Sequence, residues 1–133
     1  MGPKPAVFAC LLALPLAACG SAGRERDVAA VTEQFHAALE QDDGQAACAE
    51  LNPATASKLE REEKKPCAAA ITRLQLPKGG TVADTRVYLT SAFASLAGGT
   101  VDFLDESSEG WSISAAGCSS AGPDQPYDCE LEN

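Results

Sequence analysis

The feature that most constrains the fold is a change of hydrophobic rhythm at Pro77-Lys78-Gly79-Gly80. Before it, apolar residues recur at helical spacing; after it, they alternate. Val28, Val31, Phe35, Ala38 and Leu39 form one stripe and predict a helix over about 26–41. Asp42-Asp43-Gly44 stops that helix, and an Asp there can cap the next turn. A short second helix is expected over 45–51, broken by Asn52-Pro53. Pro53 suits the first position of a third helix reaching about Arg61. The charged block from Glu60 to Lys65 reads as a solvated face and connector, and Pro66 opens a fourth helix ending near Leu76.

Beyond the switch, residues 85–89, 92–96 and 100–104 read as strands, with Gly98-Gly99 a plausible hairpin turn. Alternation in the fourth strand, 111–115, puts Trp111, Ile113 and Ala115 on one face. The fifth, 127–131, aligns Tyr127, Cys129 and Leu131, and 119–126 is a loop. Trp111, the single tryptophan, is expected in the core beside Phe35 or Leu39. Helices first and an antiparallel meander second predict an α+β fold. N-terminal helices pack on a curved antiparallel sheet of four to five strands.

The N-terminus follows a different rule. Met1 and Lys4 give a short positive start, Ala6 to Leu16 is apolar, and Leu16-Ala17-Ala18-Cys19 leads into Gly20-Ser21-Ala22-Gly23. This order resembles the signal and lipobox of bacterial lipoproteins. The apolar stretch is shorter than the roughly 20 residues a transmembrane helix needs. An ordinary secretory signal is the alternative, but Leu16 then occupies a site where small residues are favoured. The resemblance implies that Cys19 takes a diacylglyceryl thioether and becomes the new N-terminus. Palmitate-like chains would then hold the protein on the extracytoplasmic face of the cell membrane. The chain accordingly divides into a signal peptide (1–18), a lipidated Cys19 with a flexible tether (19–24), and one domain (25–133).

Such a compartment is oxidising. With Cys10 removed and Cys19 acylated, Cys48, Cys67, Cys118 and Cys129 remain to form two disulfides. Cys48 shares a face with Leu51, and Cys67 with Ala70, Ile71 and Leu74, so a Cys48–Cys67 bond would clamp neighbouring helices over a common core. Cys118 and Cys129 bracket the 119–126 loop as paired strand ends would. A four-thiolate zinc site is disfavoured because neither gap resembles a C-x₂₋₄-C knuckle. The net charge is −9, and the signal removes only Lys4 among charged residues, so the mature surface is more acidic still. Such a surface repels nucleic acid.

Gly110-Trp111-Ser112-Ile113, Ala115 to Cys118 and Pro126 to Cys129 resemble the C-terminal part of uncharacterised small actinobacterial lipoproteins. Phe35 to Leu39, Asp43-Gly44, Ala47-Cys48 and Pro66-Cys67 extend the likeness into the helical half. The element order is similar to the cone of nuclear transport factor 2 and ketosteroid isomerase, a fold-level analogy that hosts enzymes, binders and scaffolds alike.

Chemistry is sparsely marked. His36, the only histidine, lies at the edge of the first helix's stripe and reads as a boundary or surface residue. An isomerase-like site needs a carboxylate base and oxyanion donors. Tyr88, Asp102 and Asp105 are the candidates, against a reading of Asp102 as part of a solvated strand face alternating with Val101 and Phe103. The glycine spacing of G-x-S-x-G is absent around Ser112, so there is no nucleophile elbow. Asp42-Asp43 reads as a turn and cap rather than a calcium site. No catalytic residue, cofactor or metal is therefore expected. The expected function is a non-enzymatic binding or interaction module for a small apolar ligand or an envelope protein. The alternatives are a cone-fold enzyme acting on a small apolar substrate and a structural envelope lipoprotein.

Overall fold

The computed structural model describes Gly2 and residues 20–133; the other residues of the expected signal peptide, and Cys19, lie outside the described residues. Among the described residues four helices come first: α1 (Ser21–Glu40), α2 (Gly44–Ala49), α3 (Pro53–Glu63) and α4 (Cys67–Ile71). Five strands follow: β1 (Val82–Tyr88), β2 (Ser91–Leu96), β3 (Val101–Ser107), β4 (Gly110–Ser120) and β5 (Tyr127–Glu132). They form one antiparallel meander in the order β1-β2-β3-β4-β5. The α+β architecture is the one its sequence pattern predicts, with both disulfides, Cys48–Cys67 and Cys118–Cys129, in place. Among the described residues, no helix is long and apolar enough to cross a membrane.

The helices cover one sheet face. Val28, Phe35 and Leu39 of α1 and Leu59 of α3 are buried with Ala92, Ala94, Leu104 and Ile113 of the sheet. Local chemistry sets the helix ends. Asp43 caps α2 by accepting the Ala46 N–H at 3.0 Å, and Asn52 caps α3 by accepting the Ala54 N–H at 2.9 Å. Glu60, expected to be solvated, accepts the Cys67 N–H at 2.9 Å and so caps α4 from the preceding helix. Cys48–Cys67 then ties α2 to α4. A Cβ on Gly44 would lie 2.0 Å from the Ala68 carbonyl oxygen, so only glycine permits this approach.

Four expectations need correction. Residues 21–24 are not a flexible tether but the first turn of α1. Gly23 disfavours helix by about 1 kcal/mol. Arg24 offsets part of that by reaching the Leu89 carbonyl and the Glu106 carboxylate, which ties this turn to the sheet. α4 ends at Ile71 instead of near Leu76, because the following segment must extend to reach α1: Gly79 N–H donates to the His36 carbonyl at 2.8 Å. Trp111 is only half-buried, with the Arg24 guanidinium 5.2 Å from its ring centre. Ala115 does not share a face with Ile113, because β4 carries a bulge there: Leu104 pairs with Ile113 but Phe103 with Ala115.

A second irregularity in β4 centres on Gly117, where Val101 pairs with Cys118 and Phe103 with Ala115. Gly117 has φ +65°, a conformation glycine adopts without a Cβ clash. β5 ends opposite Ala115, which leaves the start of β4 without a partner on that side. Segment 50–52 fills the gap: Ile113 N–H donates to the Glu50 carbonyl and Asn52 N–H to the Ile113 carbonyl, both at 2.8 Å.

Candidate functional site

His36 and Asp102 meet in the interior, each side chain 0 % exposed, with His36 Nε2 2.5 Å from Asp102 Oδ2. α1 brings His36 onto the buried stripe one turn beyond Thr32 and two beyond Val28. β3 brings Asp102 onto the helix-covered face with Leu104. The boundary reading of His36 and the solvated reading of Asp102 are both overturned. Strand alternation holds, but it points Asp102 inward and leaves Val101 and Phe103 half-buried on the opposite face.

Every polar atom of the pair is engaged. His36 Nδ1 donates to the Pro77 carbonyl at 2.7 Å, and Asp102 Oδ1 accepts the Gly117 N–H at 3.0 Å. A carbonyl can only accept, so Nδ1 carries hydrogen. In the protonated ring Nε2 also donates, to Asp102 Oδ2. Burial alone would lower the His36 pKa. The Asp102 hydrogen bond and charge, with the Pro77 carbonyl, outweigh it and hold His36 above its ordinary 6.5. The cluster therefore joins α1, the 72–81 connector, β3 and the β4 bulge at one point.

This arrangement has the histidine and carboxylate of a catalytic dyad but not its access. A general base needs a free face toward the proton it removes. Both His36 nitrogens and both Asp102 oxygens are occupied within the protein.

The other candidates do not converge on Asp102. Tyr88 is 59 % exposed. Asp105 accepts the Ser91 hydroxyl at 3.2 Å across the β2–β3 pairing. Asp42 pairs with Lys78 at 2.8 Å and Asp43 is the α2 cap, as the turn reading requires. Among the described residues, no cluster of three or more potential metal ligands occurs.

Two surface features flank this sealed centre. An open cleft of about 640 Å³ runs past Pro77 and Gly117, between the connector and the β5 residues Asp128 to Glu130. On the sheet face away from the helices, ring contacts run from Tyr88 to Phe93 (6.4 Å between centres) and on to Phe103 (6.5 Å). Phe103 in turn meets Tyr127 at 5.2 Å. Phe93 and Phe103 are directly paired across β2 and β3, which sets their rings side by side. Tyr88 and Tyr127 leave 59 % and 46 % of their surface in solvent.

The sequence reading missed both the buried pair and this row. The signal for His36 was present: Val28, Thr32 and His36 fall four apart on one helical stripe. The partner, 66 positions away on a strand, carried none.

Comparison with family models, curated proteins and solved structures finds no match to this chain.

Proposed function

We propose that the chain is an extracytoplasmic lipoprotein, held on the membrane through acylated Cys19, whose domain works as a binding module and not as an enzyme. The observation that carries the binding reading is the Tyr88–Phe93–Phe103–Tyr127 row on a sheet face that no helix among the described residues covers. Exposed aromatic patches of this kind mark interaction surfaces, because their rings supply large contact area at low entropic cost. The row is open rather than enclosed. That favours a macromolecular envelope partner over a small apolar ligand, which needs most of its own surface covered. The saturated His36–Asp102 pair supports a structural role for the only histidine. The lipobox at 16–19 and the likeness to small actinobacterial lipoproteins support the location.

Two measurements test this. Cys19→Ala should abolish acylation and detergent partitioning; wild-type protein cut elsewhere and free of lipid would remove the location. Chemical-shift mapping with envelope fractions should perturb Tyr88, Phe93, Phe103 and Tyr127 together. Shifts gathered instead at His36 and Asp102, with turnover of an added probe, would establish the enzyme reading.

A further inference from the structure

The strongest unexplained residue in the fold is Leu89. It forms the β1–β2 turn with Thr90, is 86 % exposed, and has φ +53°. Turns of this conformation favour Gly, Asn or Asp, which tolerate the left-handed region and are at ease in water. A leucine there is unfavourable both as backbone and as surface. Strain and exposure coinciding at one residue call for a role outside the domain's own packing.

Its neighbours indicate that role. Arg24 donates to the Leu89 carbonyl, so the turn lies within side-chain reach of the start of α1. The same guanidinium pairs with Glu106 and covers Trp111, which bring the β3–β4 hairpin to this end as well. Tyr88 is the adjoining exposed ring. Helix α1 begins at Ser21, and the two residue steps back to Cys19 span at most about 7 Å between Cα atoms. There is no length of free chain in which the domain could stand away from an anchor at Cys19.

We infer that the α1 N-terminus, the Leu89 turn and Tyr88 form a docking face for the phospholipid bilayer that carries the protein's own anchor, with Leu89 entering the acyl-chain boundary. The inference rests on the acylation of Cys19. It fixes an orientation: α1 leads away from the bilayer, and Lys78, beside Asp42 past the other end of that helix, stands away from it. Leu89 and Tyr88 supply the insertion, an apolar side chain flanked by an interfacial aromatic. Arg24 and Arg26 are the cations in the first turns of α1. Acidic groups also lie at this end, Glu25 and Asp27 on α1, Asp105 and Glu106 on β3, and Glu109 in the hairpin. The contact is therefore apolar in character and does not require anionic lipid.

The test uses the full chain, expressed with its signal and extracted from membranes as the acylated protein. Trp111→Phe supplies a tryptophan-free background, and a single tryptophan is returned by Leu89→Trp or, at the far end, by Lys78→Trp. Both positions are exposed, and circular dichroism verifies folding. On phosphatidylcholine vesicles brominated near the top of the acyl chain, the Leu89→Trp protein should show a blue shift and a marked loss of emission. The Lys78→Trp protein should show neither. The mass of the N-terminal peptide reports acylation, and flotation reports vesicle attachment. Acylated, floating protein with no quenching at position 89, or with equal quenching at both positions, overturns the orientation and leaves the lipoprotein reading standing. An N-terminal peptide without acyl groups overturns both.

Discussion

Helix α1 is joined to strand β3 by two acid–base pairs, and they could hardly differ more. Near the start of the helix, Arg24 meets Glu106 with about a third of each side chain in solvent (35 % and 33 %). About 18 Å further along the helix, His36 meets Asp102 with both side chains fully sealed. The two acids lie four positions apart on one strand, so helix and strand run alongside each other with a clasp at each place. At the open clasp, water can replace either partner. At the sealed one it cannot, and each ring nitrogen and carboxylate oxygen depends on a single partner in the protein. The same ionic chemistry thus acts as fold-determining structure in one place and as an adjustable surface contact in the other.

The comparison breaks most directly at the sealed clasp. His36→Ala or Asp102→Ala leaves a buried group without its partner and should cost about 3–5 kcal/mol, read as a fall in the urea midpoint. A loss below that of Arg24→Ala would mean that water reaches the pair. The double variant should lose far less than the sum of the two, because the partners act as a unit.

Gly117 tests whether the donor to Asp102 must be held in place. Gly117→Ala forces a Cβ to 2.8 Å from Leu76 Cδ2 at φ +65° and should cost about 1–3 kcal/mol. Amide exchange at position 117 checks the local cause: it should accelerate ahead of global unfolding. Unchanged exchange would place the damage elsewhere.

Titration is a gentler break. The folded pKa of His36 is raised above 6.5, so its contribution to stability is complete below that value and is lost as pH rises through the folded pKa. The lost proton leaves the Nε2 lone pair facing the Asp102 carboxylate. Glu50, pushed up from 4.5 by burial, acts in the same direction over a lower pH window. Denaturation midpoints should therefore decline from mildly acidic to alkaline pH, and His36→Ala should flatten the decline above pH 6.5. A wild-type profile that climbs over this range would contradict the pair as described.

The smallest effect belongs to the open clasp. Arg24→Ala should cost under about 1 kcal/mol after solvent screening, and the difference should shrink in molar salt. Its clearer sign is at Trp111, whose emission should change when the guanidinium above it is removed. A loss as large as that of His36→Ala would erase the distinction between the two ends.

What could be read in the chain was local. The stripe of Val28, Phe35 and Leu39, the cap at Asp43, and the alternation of β2 depend on residues a few positions apart. Both disulfides join cysteines close in sequence, 19 positions apart across α3 and 11 apart across the β4–β5 loop, so helix faces and loop bracketing were enough to pair them. Where the reading failed, the deciding contact came from afar. The supposed tether is helix, and Arg24 ties it to Leu89 and Glu106. Pro77 and Gly79 drew out the end of α4 through His36.

The sequence by itself determined the element order, the single antiparallel sheet and the cysteine pairs, because propensity, periodicity and short loop closure are properties of neighbouring residues. Only the tertiary structure decided which polar groups became interior. Burial depends on what packs above a face, and neither a helix nor a strand carries that information about a partner 66 positions away. A lone histidine and one aspartate among many acids became a sealed pair because α1 lies across β3. The same placement left the aromatic row on the opposite face of the sheet.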